Sequence, residues 1–238
     1  MVDILKVGII AAMEEELTLL VDRLDNCEEV QLGHCKYYTG QINGVEVGLM
    51  RCGIGKVNAA IGTTLMIDKL KPKCLINTGV AGGFINEMNV GDIVISSSVR
   101  HHDADATAFG YELGQIPDMP SEFQADRRLV EMATKVNLKS KARIFEGPVF
   151  SGDSFIHTTE QVENILKNFP QIMAVEMEGA SIAQTSHLFN IPFVLIRSIS
   201  DKVRETKSAD TYTQSMEESA KNSVQVVFEM VEQLKEGM

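Results

Sequence analysis

The chain has 238 residues, 44% of them apolar and 23% charged, with a formal net charge of −11. That length and apolar content suffice for one sizeable core, and the acidity disfavours nucleic acid or an anionic membrane surface as a partner. Cys27, Cys35, Cys52 and Cys74 show no CxxC spacing, no apolar run approaches a membrane-spanning length, and the short apolar start stops at three glutamates, so the expectation is a cytoplasmic protein with reduced thiols.

Residues 5–12 form a short, nearly all-apolar run rich in β-branched side chains, which predicts a buried strand. Residues 14–24 predict a helix with Met13, Leu17, Leu20 and Leu24 on one face. Residues 35–42 and 45–52 alternate, and Asn43-Gly44 between them predicts a hairpin, because both residues tolerate positive φ. Residues 56–70 predict a helix, with Val57, Ala60, Ile61, Thr64 and Leu65 inward. Strands follow at 74–77, closed by the glycines of 78–83, and at 92–98. Residues 101–123, with Pro117 and Pro120, lack a regular pattern, and an irregular segment of that length is usually functional or an interface. Helix at 126–136, strand at 142–151, helix at 160–168, strand at 173–176, helix at 179–189, strand at 193–200 and a long helix at 213–234 complete the chain. Strands alternating with helices imply a mostly parallel sheet covered on both faces, and no linker divides it, so one α/β domain over residues 1–238 is expected.

In such folds ligands bind beyond the carboxyl ends of the strands. Three predicted strands end in carboxylates there: Glu14, Glu15 and Glu16; Glu176 and Glu178; and Asp201. Any of the glutamates alone also suits the positive end of a helix dipole. Glu15 points away from the apolar stripe of its helix, whereas Glu14 and Glu16 both flank it, and helical geometry does not choose between them. Strand alternation puts Arg197 on the same side as Asp201. Gly53-Ile54-Gly55-Lys56 lacks the spacing of a phosphate loop, and residues 78–83 lack the dinucleotide fingerprint. His101, His102, Asp103 and Asp105 have no ligand spacing that supports a metal.

Ala12 to Glu16, Gly53 to Lys56, Asn77 to Gly83, Ser151 to Ile156, Val175 to Glu178 and Arg197 to Asp201, in that order, resemble the bacterial 5′-methylthioadenosine/S-adenosylhomocysteine nucleosidases of the nucleoside phosphorylase superfamily, over nearly the whole chain. The resemblance implies a single-domain three-layer α/β/α fold with a mixed central sheet, a homodimer, and small adenine nucleosides as ligands, with no metal or cofactor. It implies Asp201 as leaving-group acid at the adenine N7 and Glu16 as the base for the attacking water. Glu178 would hold the ribose hydroxyls, with the Met177 backbone and Arg197. Phe155 would stack on adenine, the Ile156 backbone would read its edge, and Ser200 and Val80 would complete the substrate site. Met13, Ile54 and Met177 would line the sugar and thioether pocket, and Phe109, Tyr111 and Pro117 would cover the neighbouring subunit's site. Two departures bear on the 5′-substituent: Val80 stands where many relatives carry serine, and in 202–212 the nearest aromatic is Tyr212, where relatives carry a small-residue stretch and then phenylalanine.

The implied reaction is hydrolysis of the N-glycosidic bond in methionine salvage and methyl-cycle recycling, with 5′-deoxyadenosine as a further substrate. A purine nucleoside phosphorylase is the near rival. Phosphate beside three glutamates would meet severe like-charge repulsion, which favours water as nucleophile. A nucleoside-binding or storage protein is the rival of another class, but binding alone needs no water-activating base.

Overall fold

The computed structural model describes residues 6–204 and 208–236. Strand β1 (Lys6–Ala11) is buried from Val7 onward. Leu5, the first residue of the predicted run, lies outside the described residues. Helix α1 (Glu14–Val21) buries Leu17 and Leu20. Strands β2 (Asp25–Leu32), β3 (Cys35–Ile42) and β4 (Val45–Arg51) form an antiparallel ribbon, and Asn43 and Gly44, with φ of 52° and 82°, make the tight turn between β3 and β4. Strand β2 was not anticipated. Its sequence is acidic and does not alternate, nearly every residue is exposed, and it is held by the ladder to β3 and by Leu32 at its end, which packs against the core, as suits a charged sheet edge.

Helix α2 (Lys56–Leu70) has the expected bounds but the opposite face. Ala59, Gly62, Thr63, Met66 and Ile67 are buried, whereas Val57 and Ile61 face outward. Both faces are apolar, so periodicity was ambiguous. Close approach decided it, because a Cβ on Gly62 would stand 2.5 Å from the Cys52 Cβ. Strand β5 (Cys74–Gly83) is also longer than expected, since the glycines at 79, 82 and 83 continue the strand instead of turning the chain. Strand β6 (Ile93–His101) leads into the long loop, which holds one short 3-10 turn at Thr107–Phe109 and ends in β7 (Phe123–Gln124), paired with β6. Gly110 and Gly114, both at φ 86°, bend this loop. Helix α3 (Arg127–Thr134), β8 (Ile144–Ser151), α4 (Thr159–Asn168), β9 (Ala174–Glu176), α5 (Gly179–Leu188), β10 (Phe193–Lys202) and α6 (Ser208–Glu236) follow.

The strands form one mixed sheet in the order β10-β6-β8-β9-β5-β1-β4-β3-β2, and β10 also pairs with β5. Strands β1, β4, β5 and β10 run one way, while β6, β8 and β9 run the other. The extra pairing bends β5, β10, β6, β8 and β9 into a closed ring. As a result β9 and β10 both contact the tail of β5: Gly82 is opposite Val175 on one side and Asp201 on the other. Helices α1, α3 and α6 pack on one face and α2 and α5 on the other, giving the three layers. Helix α4 closes a third cluster around Phe84, Phe150, Phe169 and Val175. No helix among the described residues is long and apolar enough to cross a membrane.

Candidate active site

A cavity opens where β1, β5, β9 and β10 end. Of the first three glutamates only Glu16 reaches it. Glu14 is drawn outward by Lys36 at 3.1 Å and Arg51 at 2.9 Å, from β3 and β4, and Glu15 is exposed. Glu16 Oε2 accepts the N–H groups of Ala12 (2.9 Å) and Met13 (3.0 Å), and Oε1 accepts that of Val80 (3.3 Å). Glu16 therefore caps α1 and also lines the cavity. Burial raises its pKa above the ordinary carboxylate value, against the opposing pull of Arg197 and the three N–H groups.

Glu176 and Glu178 face different partners, because β9 stops at Glu176. Glu176 accepts from the backbone of Glu178 and Gly179 and from the Ser151 hydroxyl, and it pairs with Arg197 at 2.6 Å. Glu178, at the head of α5, accepts the Gly55 N–H at 2.8 Å. Burial and the Glu176 charge raise the Glu178 pKa, and Arg197 and the Gly55 N–H oppose them. Arg197 is 1% exposed and does not line the cavity. Its Nη2 also donates to Asn77 Oδ1. The guanidinium lies behind the carboxylates, and burial disfavours its charge, but Glu176, Glu178 and Glu16 more than offset this and raise its pKa. One buried cation thus serves three buried glutamates.

Asp201 owes its position to a bulge. The β10–β5 register is regular to Ile199 opposite Ala81, then shifts so that Asp201 stands opposite Gly82. The bulge turns both Ser200 and Asp201 toward the cavity, which strict alternation cannot do. Asp201 Oδ1 accepts from Ser200 Oγ at 2.9 Å, whereas Oδ2 is buried and has no hydrogen-bond partner among the described residues. Burial pushes the Asp201 pKa up to about 6, with the Ser200 hydrogen bond acting the other way.

The remaining wall is apolar: Met13, Ile54, Val80, Met177 and Phe155 all line the cavity. Ile156 is buried beside it, in a smaller recess that also touches Phe155 and Asp201. Tyr212, from the start of α6, lines the cavity and stands edge-on to Phe155. From sequence this residue stands out only as the nearest aromatic after Asp201, and residues 205–207 lie outside the described residues. Phe109, Tyr111 and Pro117 do not line this chain's cavity. Phe109 is 83% exposed, and the Tyr111 hydroxyl donates to Asp118.

Two amides of the Gly53–Lys56 loop are engaged by carboxylates, while the Gly53 N–H donates to the Ala12 carbonyl. Gly55 N–H donates to Glu178, Lys56 N–H donates to Asp153 Oδ1 at 2.8 Å, and Lys56 Nζ pairs with Asp103 at 2.7 Å. This ties the loop bearing Ile54 to the loop bearing Phe155. The His101 and His102 side chains turn to other neighbours: His101 Nε2 is 3.1 Å from Gln184 Oε1, and His102 packs against Gly152. Among the described residues no group of three His, Cys, Asp or Glu side chains gathers as a metal site.

A cavity edged by carboxylates at the ends of a mixed α/β sheet defines a class, and the sequence comparison gives the same one: the pattern of the Phosphorylase superfamily matches residues 6–232. A 5′-methylthioadenosine/S-adenosylhomocysteine nucleosidase of Maridesulfovibrio salexigens is 60% identical over 231 residues, covering 97% of this chain and 100% of the relative. The crystal structure of such a nucleosidase from Neisseria meningitidis, in complex with methylthio-immucillin-A, is 41% identical with a TM-score of 0.92, covering 95% of this chain and 98% of that one. The Colwellia psychrerythraea nucleosidase in complex with adenine is 41% identical with a TM-score of 0.94, covering 98% of this chain and 96% of that one. The chain belongs to the 5′-methylthioadenosine/S-adenosylhomocysteine nucleosidase family of the phosphorylase superfamily, and it is an enzyme of the glycosidase type.

Proposed function

We propose that the enzyme hydrolyses the N-glycosidic bond of 5′-methylthioadenosine, S-adenosylhomocysteine and 5′-deoxyadenosine, releasing adenine and the 5′-substituted ribose. The observation that carries this reading is the contrast between two carboxylates on one cavity. Asp201 has a buried, unpartnered Oδ2 and a raised pKa, while Glu16 is held in place by three backbone N–H groups. Two carboxyl groups in different surroundings suit one acid and one base. With the base stacked on Phe155, Asp201 gives its proton to N7 and adenine leaves as a neutral species. The bond from C1′ to N9 breaks, and positive charge spreads over the sugar ring. Glu178, which holds the ribose hydroxyls, stabilises that charge. Glu16 takes a proton from water as its oxygen bonds to C1′, and solvent returns the proton to Asp201. In the cell this reaction serves methionine salvage and clears the product of methyl transfer. We place it in the cytoplasm, in keeping with four free cysteines.

Water is favoured over phosphate by the cavity wall. Glu16, Glu176, Glu178 and Asp201 all contribute to it, and no lysine or arginine does among the described residues. In the glycine loop at 53–56, the Gly55 and Lys56 amides already serve carboxylates. Turnover is therefore expected to release free reducing sugar at a rate independent of added phosphate. Formation of a ribose 1-phosphate would identify a phosphorylase instead, and no release of adenine from any of the three nucleosides would remove the proposal.

We further propose a homodimer in which the loop at 101–123 covers the partner's cavity. Val57 and Ile61 on α2, Leu188 and Phe189 at the end of α5, and Phe109 on the loop are large apolar side chains left in water. Covering such surface is worth about 25 cal/mol per Å². Tyr111→Ala is expected to raise KM several-fold while leaving the melting temperature within about 2 °C, since the ring is not part of this chain's core. A fully active monomer in sedimentation at assay concentration would refute the shared site.

A further inference from the structure

Tyr212 is the wall residue, among the described residues lining the cavity, whose hydroxyl has no partner stronger than a thioether. The Ser200 hydroxyl is engaged by Asp201 and the Ala81 carbonyl. Among the described residues the Tyr212 hydroxyl reaches only Met13 Sδ, at 3.5 Å. A thioether is a weak acceptor. The ring itself is fixed, edge-on to Phe155 with centroids 5.5 Å apart. Burial, and then the negative charges of Glu16 and Glu178, push the phenol's pKa up to about 12, so at neutral pH the group is a donor.

The sheet order gives this hydroxyl a place on the substrate. Strands β1 and β10 flank β5 on opposite sides, so Met13 and Asp201 stand across the cavity from each other. A nucleoside with its base on Phe155 and Asp201, and its ribose on Glu178, points its 5′ end toward Met13, Ile54 and the Tyr212 hydroxyl. This placement rests on the nucleosidase reading above.

We infer that Tyr212 tunes selectivity at the 5′ position, favouring adenine nucleosides with an oxygen on C5′ relative to those with a thioether there. The reason is acceptor exchange. A 5′-thioether offers the hydroxyl a sulfur no better than Met13 Sδ, whereas a 5′-oxygen offers an acceptor of ordinary strength. Met13, Ile54 and Met177 still favour an apolar 5′-methylthio group through burial. The methylthio substrate therefore keeps the overall advantage, and Tyr212 narrows it.

The test measures kcat/KM for adenosine and for 5′-methylthioadenosine with the wild-type enzyme and Tyr212→Phe, together with inhibition by adenine. The phenyl ring keeps the contact with Phe155 and loses only the hydroxyl. The adenosine-to-methylthioadenosine ratio of kcat/KM is expected to fall about three- to tenfold, the factor a single net hydrogen bond supplies. Adenine, which lacks the 5′ group, should inhibit both proteins equally, which also shows that the variant is folded. An unchanged ratio overturns the role of Tyr212 and leaves the nucleosidase reading intact. A loss of adenine affinity as large as the change in ratio also overturns it, because the effect then lies at the base wall. A wild-type enzyme that releases adenine from neither nucleoside fails the nucleosidase reading itself.

Discussion

Asp201→Asn is expected to bind the nucleoside and to lose about 10²–10⁴-fold in turnover, the usual contribution of one positioned acid. Asparagine has nearly the same shape and still offers an oxygen to Ser200 Oγ, so the bulge that aims residue 201 persists. What disappears is the proton destined for N7. The same group predicts a pH dependence. With the Asp201 pKa near 6, its acid form is lost as pH rises through that value, and kcat should fall there. Glu16 must be unprotonated to accept a proton from water, so its raised pKa brings the acidic limb of the profile closer to neutrality.

Stability runs in a direction that separates lost chemistry from lost folding. The folded pKa of Asp201, about 6, exceeds the unfolded value of about 3.9. The native state thus binds the extra proton. The stability this contributes is present below about pH 4 and is lost as pH rises to about 6, an effect on the order of 3 kcal/mol. Above that window wild-type Asp201 is a buried charge with one oxygen unpartnered among the described residues. The asparagine variant carries no such charge, so at pH 8 its melting temperature should equal or exceed that of the wild type. An Asp201→Asn protein that melts normally and retains turnover within tenfold of wild type would take Asp201 out of the acid role.

Local features were legible in the sequence because local physics decides them. The all-apolar run of β1, the Asn43-Gly44 turn and the bounds of α2 depend on neighbours within a few residues. Tertiary partners decided the rest. Residues 78–83 look like a glycine turn until β9 and β10 pair with them. Glu14 and Glu16 both flank the apolar stripe of α1, and the choice is made by Lys36 and Arg51 from distant strands, which draw Glu14 away. Alternation gave the side of β10 on which Arg197 lies, but not its depth behind Glu176, nor the bulge at 199–201. The sequence places Tyr212 near the end of the segment after Asp201; only the packing of α6 brings it over Met13 and against Phe155.

The second large effect is expected at a residue with no side chain. Gly79→Ala should lower kcat about a hundredfold or more while leaving the protein folded. A Cβ at position 79 would stand 2.7 Å from both Glu16 Oε1 and Arg197 Nη1 and 3.2 Å from Glu16 Cδ. Neither neighbour can yield cheaply. Glu16 is tied to the N–H groups of Ala12, Met13 and Val80, and Arg197 is tied to Asn77 and Glu176. The methyl group therefore either moves the base away from the attacking water or parts Arg197 from the glutamates whose charge it balances. A displacement of about 1 Å in a catalytic group is enough to cost on the order of a hundredfold. Overpacking of this kind costs about 1–3 kcal/mol of stability, less than the 5–15 kcal/mol typical of a folded protein, so the variant should purify and melt cooperatively. Gly83→Ala, on the same strand, is the control for overpacking alone. Its Cβ would meet Ile199 at 3.1 Å, a side chain with no part in the proposed chemistry. A larger stability loss in Gly79→Ala, whose φ of 159° also strains an L side chain, and a large fall in kcat for Gly79→Ala alone are the expected result. Equal activity in both would show that the Glu16–Arg197 spacing at Gly79 does not govern the reaction.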